Sequence, residues 1–359
     1  MSQQPISGYG LIGDMRTAAL VGLDGAIDWC CLPRFDSGSV FGALLDPERG
    51  GAFSIRPAGP CTSTQRYLPR TNILETTFTT DGGVMTVTDF MPVSEDGRPR
   101  GQHPEIHRRV RCTRGRVRVR IVFMPRFEYA ARTTRLESLN AGVFASDRTD
   151  QVLTLASAQP FQWSIAQSAA VTEFDIERGD ERWLVLRYDD DDIHPVDRYE
   201  SALKLEVTEA FWQQWSAGVK YTGPWRTMVK RSALALKLLT HVETGAIIAA
   251  PTTSVPETIG GSRNWDYRFV WLRDAAFTLA ALAAVGHQRE ADAFMRFLKK
   301  VCRHEGGGHL QIMYGIDGRR DLIERQLDHL TGYYGSQPVR VGNGAVGQLQ
   351  LDVYGEVME

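Results

Sequence analysis

The pattern of apolar and polar positions changes near residue 195 of this 359-residue chain. Before that point, apolar and polar residues alternate over short runs such as VRVRIVF and RWLVLRY, which is typical of strands with one exposed face. Turn residues separate such runs, so VGLDGAIDW is predicted to turn at Asp24-Gly25 and ILETTFTTDGGVMTVTDF at Asp81-Gly82-Gly83. The pattern predicts an antiparallel β-sandwich over residues 1–195.

From residue 196 the apolar positions recur at intervals of three and four, the period of an α-helix. Residues 196–223 are predicted to be a helical linker, and the helix in PWRTMVKRSALALKLLTHVETG is predicted to end at Thr244-Gly245. Further helices are predicted at 274–285, at 289–304 and from about residue 344. The second half is therefore predicted to be an all-helical domain over residues 224–359, which follows the β domain.

Composition and charge exclude several classes of partner. The chain has 43% hydrophobic and 23% charged residues and a formal net charge of −2, as expected of a soluble globular protein. This charge gives no electrostatic reason to expect nucleic acid or an anionic membrane as partner. No apolar run approaches the roughly 20 residues that span a bilayer, and MSQQPISGYG lacks the basic-then-apolar order of a signal peptide. A cytoplasmic protein is expected.

Two charged runs are interpreted as solvated surface. Arg116, Arg118 and Arg120 alternate with apolar residues, as on the exposed face of a strand, so a nucleic-acid site is not predicted there. The acidic run 189–192 lacks the spaced oxygen ligands and the glycine of a calcium loop. Each run is therefore assigned to a structural role.

The cysteines carry no sign of a metal or redox site. Their number, five, is odd, and no pair has C-x-x-C spacing, so buried reduced thiols are predicted. The sequence contains no cluster with the spacing of metal ligands. Neither a metal nor another cofactor is predicted.

Aromatic side chains and one Arg-Asp pair crowd the stretch GGSRNWDYRFVWLRDAAFT, residues 260–278. Four of the aromatic residues alternate strictly: Trp265, Tyr267, Phe269 and Trp271. They would share one side of an extended segment, either as ordinary core or as stacking surface for a sugar. Asp274 follows Arg273 at the start of an apolar helix, where a carboxylate suits the helix N-terminus but also forms a fork for hydroxyl groups. Composition and spacing leave both interpretations open.

A longer segment, TGAIIAAPTTSVPETIGGSRNWDYRFVWLRDAAFTLAAL, resembles glycoside hydrolase family 15, the glucoamylase and bacterial trehalase-like group. LQIMYGIDG and LTGYYGSQPVRVGNGAVGQLQLDVYGEV are similar to later blocks of the same catalytic domain. IGDMRTAALVGLDGAIDWCCLPRFDSGSVFGALLD resembles the β-sandwich domain that precedes it in bacterial members. The resemblance implies an (α/α)6 barrel of twelve helices and an inverting hydrolase that removes glucose units from α-glucosides.

The resemblance also assigns substrate contacts to four residues. Trp271, Arg273 and Asp274 match the W-x-R-D motif of the family, in which the Arg-Asp pair binds hydroxyls of the terminal glucose. Tyr267 matches the tyrosine that lines the same subsite. The implied substrate is an α-glucoside such as trehalose or a malto-oligosaccharide, and the N-terminal resemblance favours the trehalase-like enzymes.

The two catalytic glutamates of the family lie downstream of its R-V-G-N block, which is residues 340–343 here. Inversion needs two carboxyl groups about 6.5–9.5 Å apart, and no position matches the motif of either glutamate. Glu356 and Glu359 are interpreted as surface or core-edge residues, and Glu257 and Glu305 have no evident partner carboxylate. None of these four glutamates is assigned as acid or base.

Residues 224–359 hold about four helices of barrel type, far fewer than a full barrel needs. A partial (α/α)6 barrel is therefore expected, with the catalytic glutamates beyond residue 359 and the chain inactive alone. One alternative is a non-catalytic carbohydrate-binding or scaffold protein. Another pairs Asp274 with a second carboxylate of this chain as an unorthodox catalyst.

Overall fold

A computed structural model describes residues 3–98, 103–157, 161–303 and 310–358, with side chains described as far as residue 355. The chain divides into two compact units, Met1–Phe211 and Trp212–Glu359. Within the described ranges, no helix combines the length and the apolar character needed to cross a bilayer.

The N-terminal unit is built from strands, all of them paired antiparallel. They are β1 (Tyr9–Gly13), β2 (Ala18–Gly22), β3 (Ala26–Cys31), β4 (Ser39–Phe41), β5 (Ala52–Pro57), β6 (Thr62–Tyr67), β7 (Leu74–Thr79), β8 (Gly83–Phe90), β9 (Glu105–Met124), β10 (Arg135–Leu139), β11 (Gly142–Ser146), β12 (Val152–Ser157), β13 (Ser164–Ala166), β14 (Ala169–Glu177) and β15 (Glu181–Tyr188).

The long strand β9 connects two sections of the sheet. Its first half pairs with β8 and β15, and its second half pairs with β5 and β14. One apolar core receives side chains from both sections, for example Phe53 and Val119 from one and Val87 and Leu186 from the other. The predicted antiparallel sandwich is therefore confirmed as a sheet-rich domain, in which β9 belongs to both sections.

Both predicted hairpins are present, β2–β3 around Asp24-Gly25 and β7–β8 around Asp81-Gly82. Gly25 has φ 78°, and a Cβ atom there would lie 2.3 Å from the carbonyl oxygen of Ile55. Only glycine fits this turn without displacing β5.

The alternating arginines of β9 are exposed, as predicted, with side-chain exposures of 63%, 56% and 43% for Arg116, Arg118 and Arg120. Acidic side chains of the neighbouring strand β14 neutralise them, with the Arg118 Nε atom 3.1 Å from Glu173 and the Arg116 Nη2 atom 3.0 Å from Asp175. This cross-strand ladder gives each of the three arginines a carboxylate partner on β14.

Several carboxyl groups are buried in the N-terminal unit. Arg108 and Asp89 are completely buried, 2.7 Å apart, and Arg108 also donates to the carbonyl oxygens of Phe53 and Gly25. Burial raises the pKa of Asp14 and of Asp28 to about 6, partly offset by hydrogen bonds to each. The buried carboxyl groups of this unit therefore have different partners. Asp89 accepts hydrogen bonds from a cationic guanidinium, whereas Asp14 accepts them from backbone N–H groups.

The cysteine prediction holds in part. None of the five cysteines, all of which lie in the described ranges, forms a disulfide bond, and Cys30, Cys31 and Cys112 are buried. Cys61 is exposed and Cys302 is half-buried, so the prediction that the thiols are buried was wrong for these two.

The C-terminal unit combines helices with long irregular segments and short strands, so the prediction of an all-helical domain was wrong in that respect. The helices are α1 (Ser201–Ala217), which contains the division between the units, α2 (Arg226–Leu238), α3 (Leu272–Ala284), α4 (Arg289–Arg303) and α5 (Asp352–Met358), and the short strands are β16 (Val270–Trp271), β17 (Met313–Tyr314), β18 (Arg325–Gln326) and β19 (Arg340–Val341). The order of a β domain and then a smaller helical part agrees with the sequence pattern. The partial (α/α)6 barrel stays a prediction.

Two helix ends differ from the predictions. Helix α2 ends at Leu238 instead of Thr244-Gly245, because the chain folds back there and the backbone N–H of His241 donates to the carbonyl oxygen of Ala246. The last helix begins at Asp352 instead of about residue 344, because residues 344–347 form a single 3-10 turn in which Asn343 caps the N–H of Ala345.

Candidate active site

Backbone pairing fixes the segment that carries the predicted site. The N–H groups of Ala250 and Ser254 donate to the carbonyl oxygens of Tyr267 and Trp265, at 2.9 Å each. Strand β16 then pairs with β17, with Trp271 opposite Met313. The N–H of the next residue donates to a carbonyl oxygen at position 312. Residues 265–271 therefore lie between two neighbouring segments before helix α3 begins.

One face of this segment is polar and buried. Asn264, Asp266 and Arg268 are each at most 1% exposed. The guanidinium of Arg268 donates to both carboxylate oxygens of Asp266, at 2.9 and 2.7 Å. A bidentate pair in a buried position fixes both side chains through geometry as well as charge.

The R-V-G-N block completes this buried network. The N–H of Gly342 donates to the Asp266 carboxylate and the side-chain amide of Asn343 to the Asp266 carbonyl oxygen, each at 3.1 Å. Gly342 has φ 76°, and a Cβ atom there would lie 2.0 Å from the carbonyl oxygen of Ile323. The block therefore contacts the aromatic segment on its buried face. The backbone at position 342 requires glycine.

The opposite face carries the aromatic rings, though not all four together. The rings of Tyr267 and Trp271 are half-buried, with centroids 6.0 Å apart. Phe269 is 4% exposed, so of the two interpretations left open for the alternating rings, ordinary core applies to it. The guanidinium of Arg340 lies 4.5 Å from the ring centre of Trp265 and covers that ring.

Arg273 and Asp274, here called the first ion pair, lie at the start of helix α3. Their closest charged atoms are 3.4 Å apart, and their side chains are 38% and 45% exposed. Arg273 also lies 5.4 Å from the Trp271 ring centre and 3.6 Å from the carboxylate of Asp352. The polar fork and the Tyr267 and Trp271 rings thus meet at one partly exposed place.

The capping interpretation of Asp274 is not what the structure shows. Asp274 is the third residue of helix α3, its side chain bonds to Arg273, and the N-cap residue Trp271 makes no side-chain cap. The carboxylate still lies in the first turn, where the helix dipole favours negative charge.

The indole N–H of Trp271 is buried without a hydrogen-bond partner in the described part of the chain. Burying a donor in this way costs about 1–3 kcal/mol.

Tyr267 is electrostatically coupled to two ion pairs. Burial raises the pKa of Tyr267, the carboxylates of Glu257 and Asp274 add to the rise, and Arg263 and Arg273 oppose it. Glu257 and Arg263, here called the second ion pair, lie 3.0 Å apart. No partner carboxylate for Glu257 is evident in the sequence, and in the structure its partner is an arginine.

The other candidate glutamates fall outside the part of the chain whose side chains are described. Glu305 and Glu359 lie outside the described residues, and so does the side chain of Glu356. Across the described ranges, no group of three or more His, Cys, Asp or Glu side chains is arranged to hold a metal ion.

The predicted residues lie on an open face and not in either of two cavities of the same unit. One cavity, of about 430 Å³, is lined by residues between Gln326 and Val339. Another, of about 400 Å³, is lined by residues that include Gln311, Arg320 and Leu349. Neither is lined by Tyr267, Trp271, Arg273 or Asp274.

Sequence reasoning missed the residues that support the site. These are Asn264, Asp266, Arg268, Asp352 and the side chains of Arg340 and Asn343. The strict alternation of R-N-W-D-Y-R was a usable signal, because the face opposite the aromatic rings is polar at each position. Its burial depends on residues 340–343, more than seventy positions later, which spacing alone does not reveal.

Comparison with known families divides the chain in two. Residues 1–212 match the family described as trehalase-like, N-terminal, and residues 223–359 match glycosyl hydrolases family 15. The two matches together include almost the whole chain, and the four predicted residues fall in the second.

Characterised relatives give the same result. The trehalase of Thermoplasma acidophilum is 39% identical over 94% of this chain and 58% of its own length. The trehalase of Mycolicibacterium smegmatis is 38% identical over 99% of this chain and 56% of its own length. The chain thus spans about half the length of the curated relatives it matches. Among solved structures, a putative kojibiose phosphorylase from human microbiome has a TM-score of 0.43 at 9% identity, over 86% of this chain and 49% of its own.

Proposed function

We propose that residues 267–274 bind the terminal glucose unit of an α-glucoside. The premise is that the chain belongs to glycosyl hydrolases family 15 and carries a trehalase-like N-terminal domain. The observation that carries the proposal is the meeting of the first ion pair with the rings of Tyr267 and Trp271 on one partly exposed face. Trehalose is the substrate that we propose, since the relatives at 38–39% identity are named trehalases.

The chemistry of this face suits a pyranose ring. Aromatic rings offer apolar faces to the C–H groups of a sugar. The Asp274 carboxylate accepts hydrogen bonds from hydroxyl groups, while the Arg273 guanidinium donates to hydroxyl oxygens, and charge-assisted bonds of this kind are the strong ones. Arg273 is held from three directions, by Asp274, Asp352 and the Trp271 ring, so little side-chain freedom is lost when a sugar binds.

The reaction that we propose for a protein with this site is hydrolysis of the α-glucosidic bond with inversion. That reaction needs one carboxyl group to protonate the leaving oxygen and another to activate water. We assign neither role to a described residue, because Asp274 and Asp352 share Arg273 and Glu257 is paired with Arg263. These three carboxylates have binding roles in the proposal.

The same ion pairing favours a second candidate function, a carbohydrate-binding protein that does not hydrolyse its ligand. The two candidates differ in one measurement, the release of glucose from trehalose by the purified chain. Release would support the hydrolase, and the anomer first formed, followed by NMR, would report inversion or retention. Binding without release would support the second candidate.

Isothermal titration calorimetry with trehalose tests the binding site itself. Asp274→Asn removes the charge of the first ion pair, and we expect the affinity for trehalose to fall about 10- to 100-fold, as for loss of one charge-assisted hydrogen bond. Asp292→Asn is the matched control, since it neutralises an exposed aspartate in the first turn of helix α4. Equal affinities for the unmodified chain and Asp274→Asn would contradict the site, and so would the absence of any binding of trehalose, maltose or isomaltose.

A further inference from the structure

The second ion pair has no evident structural purpose. The Arg263 Nε atom lies 3.0 Å from the Glu257 carboxylate, and the two side chains are 73% and 45% exposed. Ion pairs this exposed contribute little to stability, because water screens both charges. Stability therefore gives little reason to keep two opposite charges together at this place.

The loop that carries the second ion pair is held rigidly at its base. The N–H of Glu257 donates to the carbonyl oxygen of Arg263 at 3.3 Å, closing the loop on itself. The N–H of Gly260 donates to the Ser336 hydroxyl at 2.9 Å, and the side-chain amide of Asn264 donates to the carbonyl oxygen of Pro338 at 3.3 Å. Anchors of this kind orient charged side chains before a ligand arrives, which reduces the entropy lost on binding.

Alternation places the second ion pair on the same face as Tyr267. Positions 264, 266 and 268 are buried, so Arg263 and Tyr267 project to the opposite, partly exposed side. An extended segment rises about 3.3 Å per residue, so these two residues are about 13 Å apart along the chain. The carboxylates of Glu257 and Asp274 both contribute to the raised pKa of Tyr267, which agrees with a position of this ring near both pairs.

Trp265 lies between Arg263 and Tyr267 in the sequence, but at most one face of its ring is open for stacking. The guanidinium of Arg340 covers one face of its ring and also donates to the carbonyl oxygens of Ser262 and Asn264. Beyond Tyr267, the polar groups of Glu257 and Arg263 are exposed and accessible to a ligand.

We propose that Glu257 and Arg263 form a second sugar-binding fork, which recognises the hydroxyl groups of the second ring of an α-linked disaccharide. The inference rests on the proposed function, in which the first ring binds at Arg273 and Asp274. Glu257 accepts hydrogen bonds from hydroxyl groups of the second ring, and Arg263 donates to its oxygens. A single-ring glucoside reaches only the first ion pair, so the second pair distinguishes two-ring from one-ring ligands.

The test compares two ligands by isothermal titration calorimetry, trehalose and methyl α-D-glucopyranoside, which share the terminal glucose but differ in the second ring. We expect Glu257→Gln to weaken trehalose binding about tenfold and to leave the affinity for methyl α-D-glucopyranoside unchanged. Glu137→Gln is the matched control, because Glu137 is 42% exposed and pairs with Arg135 at 2.7 Å in the N-terminal unit. That variant is expected to bind both ligands like the unmodified chain.

A charge swap separates recognition from a purely structural effect. The double variant Glu257→Arg with Arg263→Glu keeps an ion pair across the loop but exchanges donor and acceptor. We expect trehalose affinity to stay reduced in it, and full recovery would overturn the second fork. An equal loss of affinity for both ligands in Glu257→Gln would also overturn it, since that result indicates a disturbed loop.

Failure of the proposed function gives a different result. An unmodified chain that binds neither ligand would contradict the proposed function and this inference together. An unmodified chain that binds trehalose, with the same affinity in Glu257→Gln, would contradict the second fork alone.

Discussion

The buried pair Asp266–Arg268 gives the strongest stability prediction. The perturbation is Asp266→Asn, which keeps the size of the side chain and removes its charge. Asp266 and Arg268 are each 1% exposed, and their closest charged atoms are 2.7 Å apart. The substitution leaves the Arg268 charge in the interior without this carboxylate and weakens the bond from the N–H of Gly342.

The expected magnitude follows from burial. Removing one partner of a buried ion pair costs about 3–5 kcal/mol. With a urea dependence of about 1–3 kcal/mol/M, the midpoint of unfolding of the C-terminal unit should fall by at least about 1 M. Because Asp266 also holds the R-V-G-N block, we expect trehalose binding to weaken at the same time.

The assay is urea unfolding followed by tryptophan fluorescence, to which Trp265 and Trp271 contribute beside the substitution. Glu137→Gln is the matched control, since the Arg135–Glu137 ion pair has the same 2.7 Å separation on an exposed strand. Its expected effect is below about 1 kcal/mol. A loss of less than about 1 kcal/mol in Asp266→Asn, similar to this control, would refute the reasoning from burial.

Three further predictions concern pH, backbone strain and the site. The pKa of Asp14 and of Asp28 is raised from 3.8 to about 6, so their contribution to stability is complete below about pH 4 and is lost as pH rises through 6. Between pH 4 and 7 the urea midpoint should therefore fall less in Asp28→Asn than in the unmodified chain. Identical slopes of midpoint against pH would contradict this. Gly342→Ala should destabilise the C-terminal unit by more than about 1 kcal/mol, because of its positive φ and a 2.0 Å contact of the new Cβ; an unchanged urea midpoint would count against it. Asp352→Asn, which removes one partly exposed partner of Arg273, should weaken trehalose binding only a few-fold and change stability by less than about 1 kcal/mol; calorimetry and urea unfolding of the same variant measure both.

The sequence contained local information about strands and turns. The alternation in VRVRIVF predicted the exposed arginines of β9, and Asp24-Gly25 predicted a hairpin in which Gly25 adopts φ 78°. These predictions succeed because alternation and a left-handed turn residue depend on a few neighbouring positions. The end of helix α2 was predicted wrongly because a hydrogen bond between His241 and Ala246 turns the chain before the glycine is reached.

For the site, the sequence determined which side chains are present, and the motif around Trp271, Arg273 and Asp274 pointed to a sugar. Only the tertiary structure decided which of the alternating rings stay accessible, since Phe269 enters the interior while Tyr267 remains at the surface. The physical reason is that burial and ion pairing are set by residues distant in sequence. Contacts from positions 340–343 bury the polar face of the segment, and such contacts leave no periodic trace in the sequence.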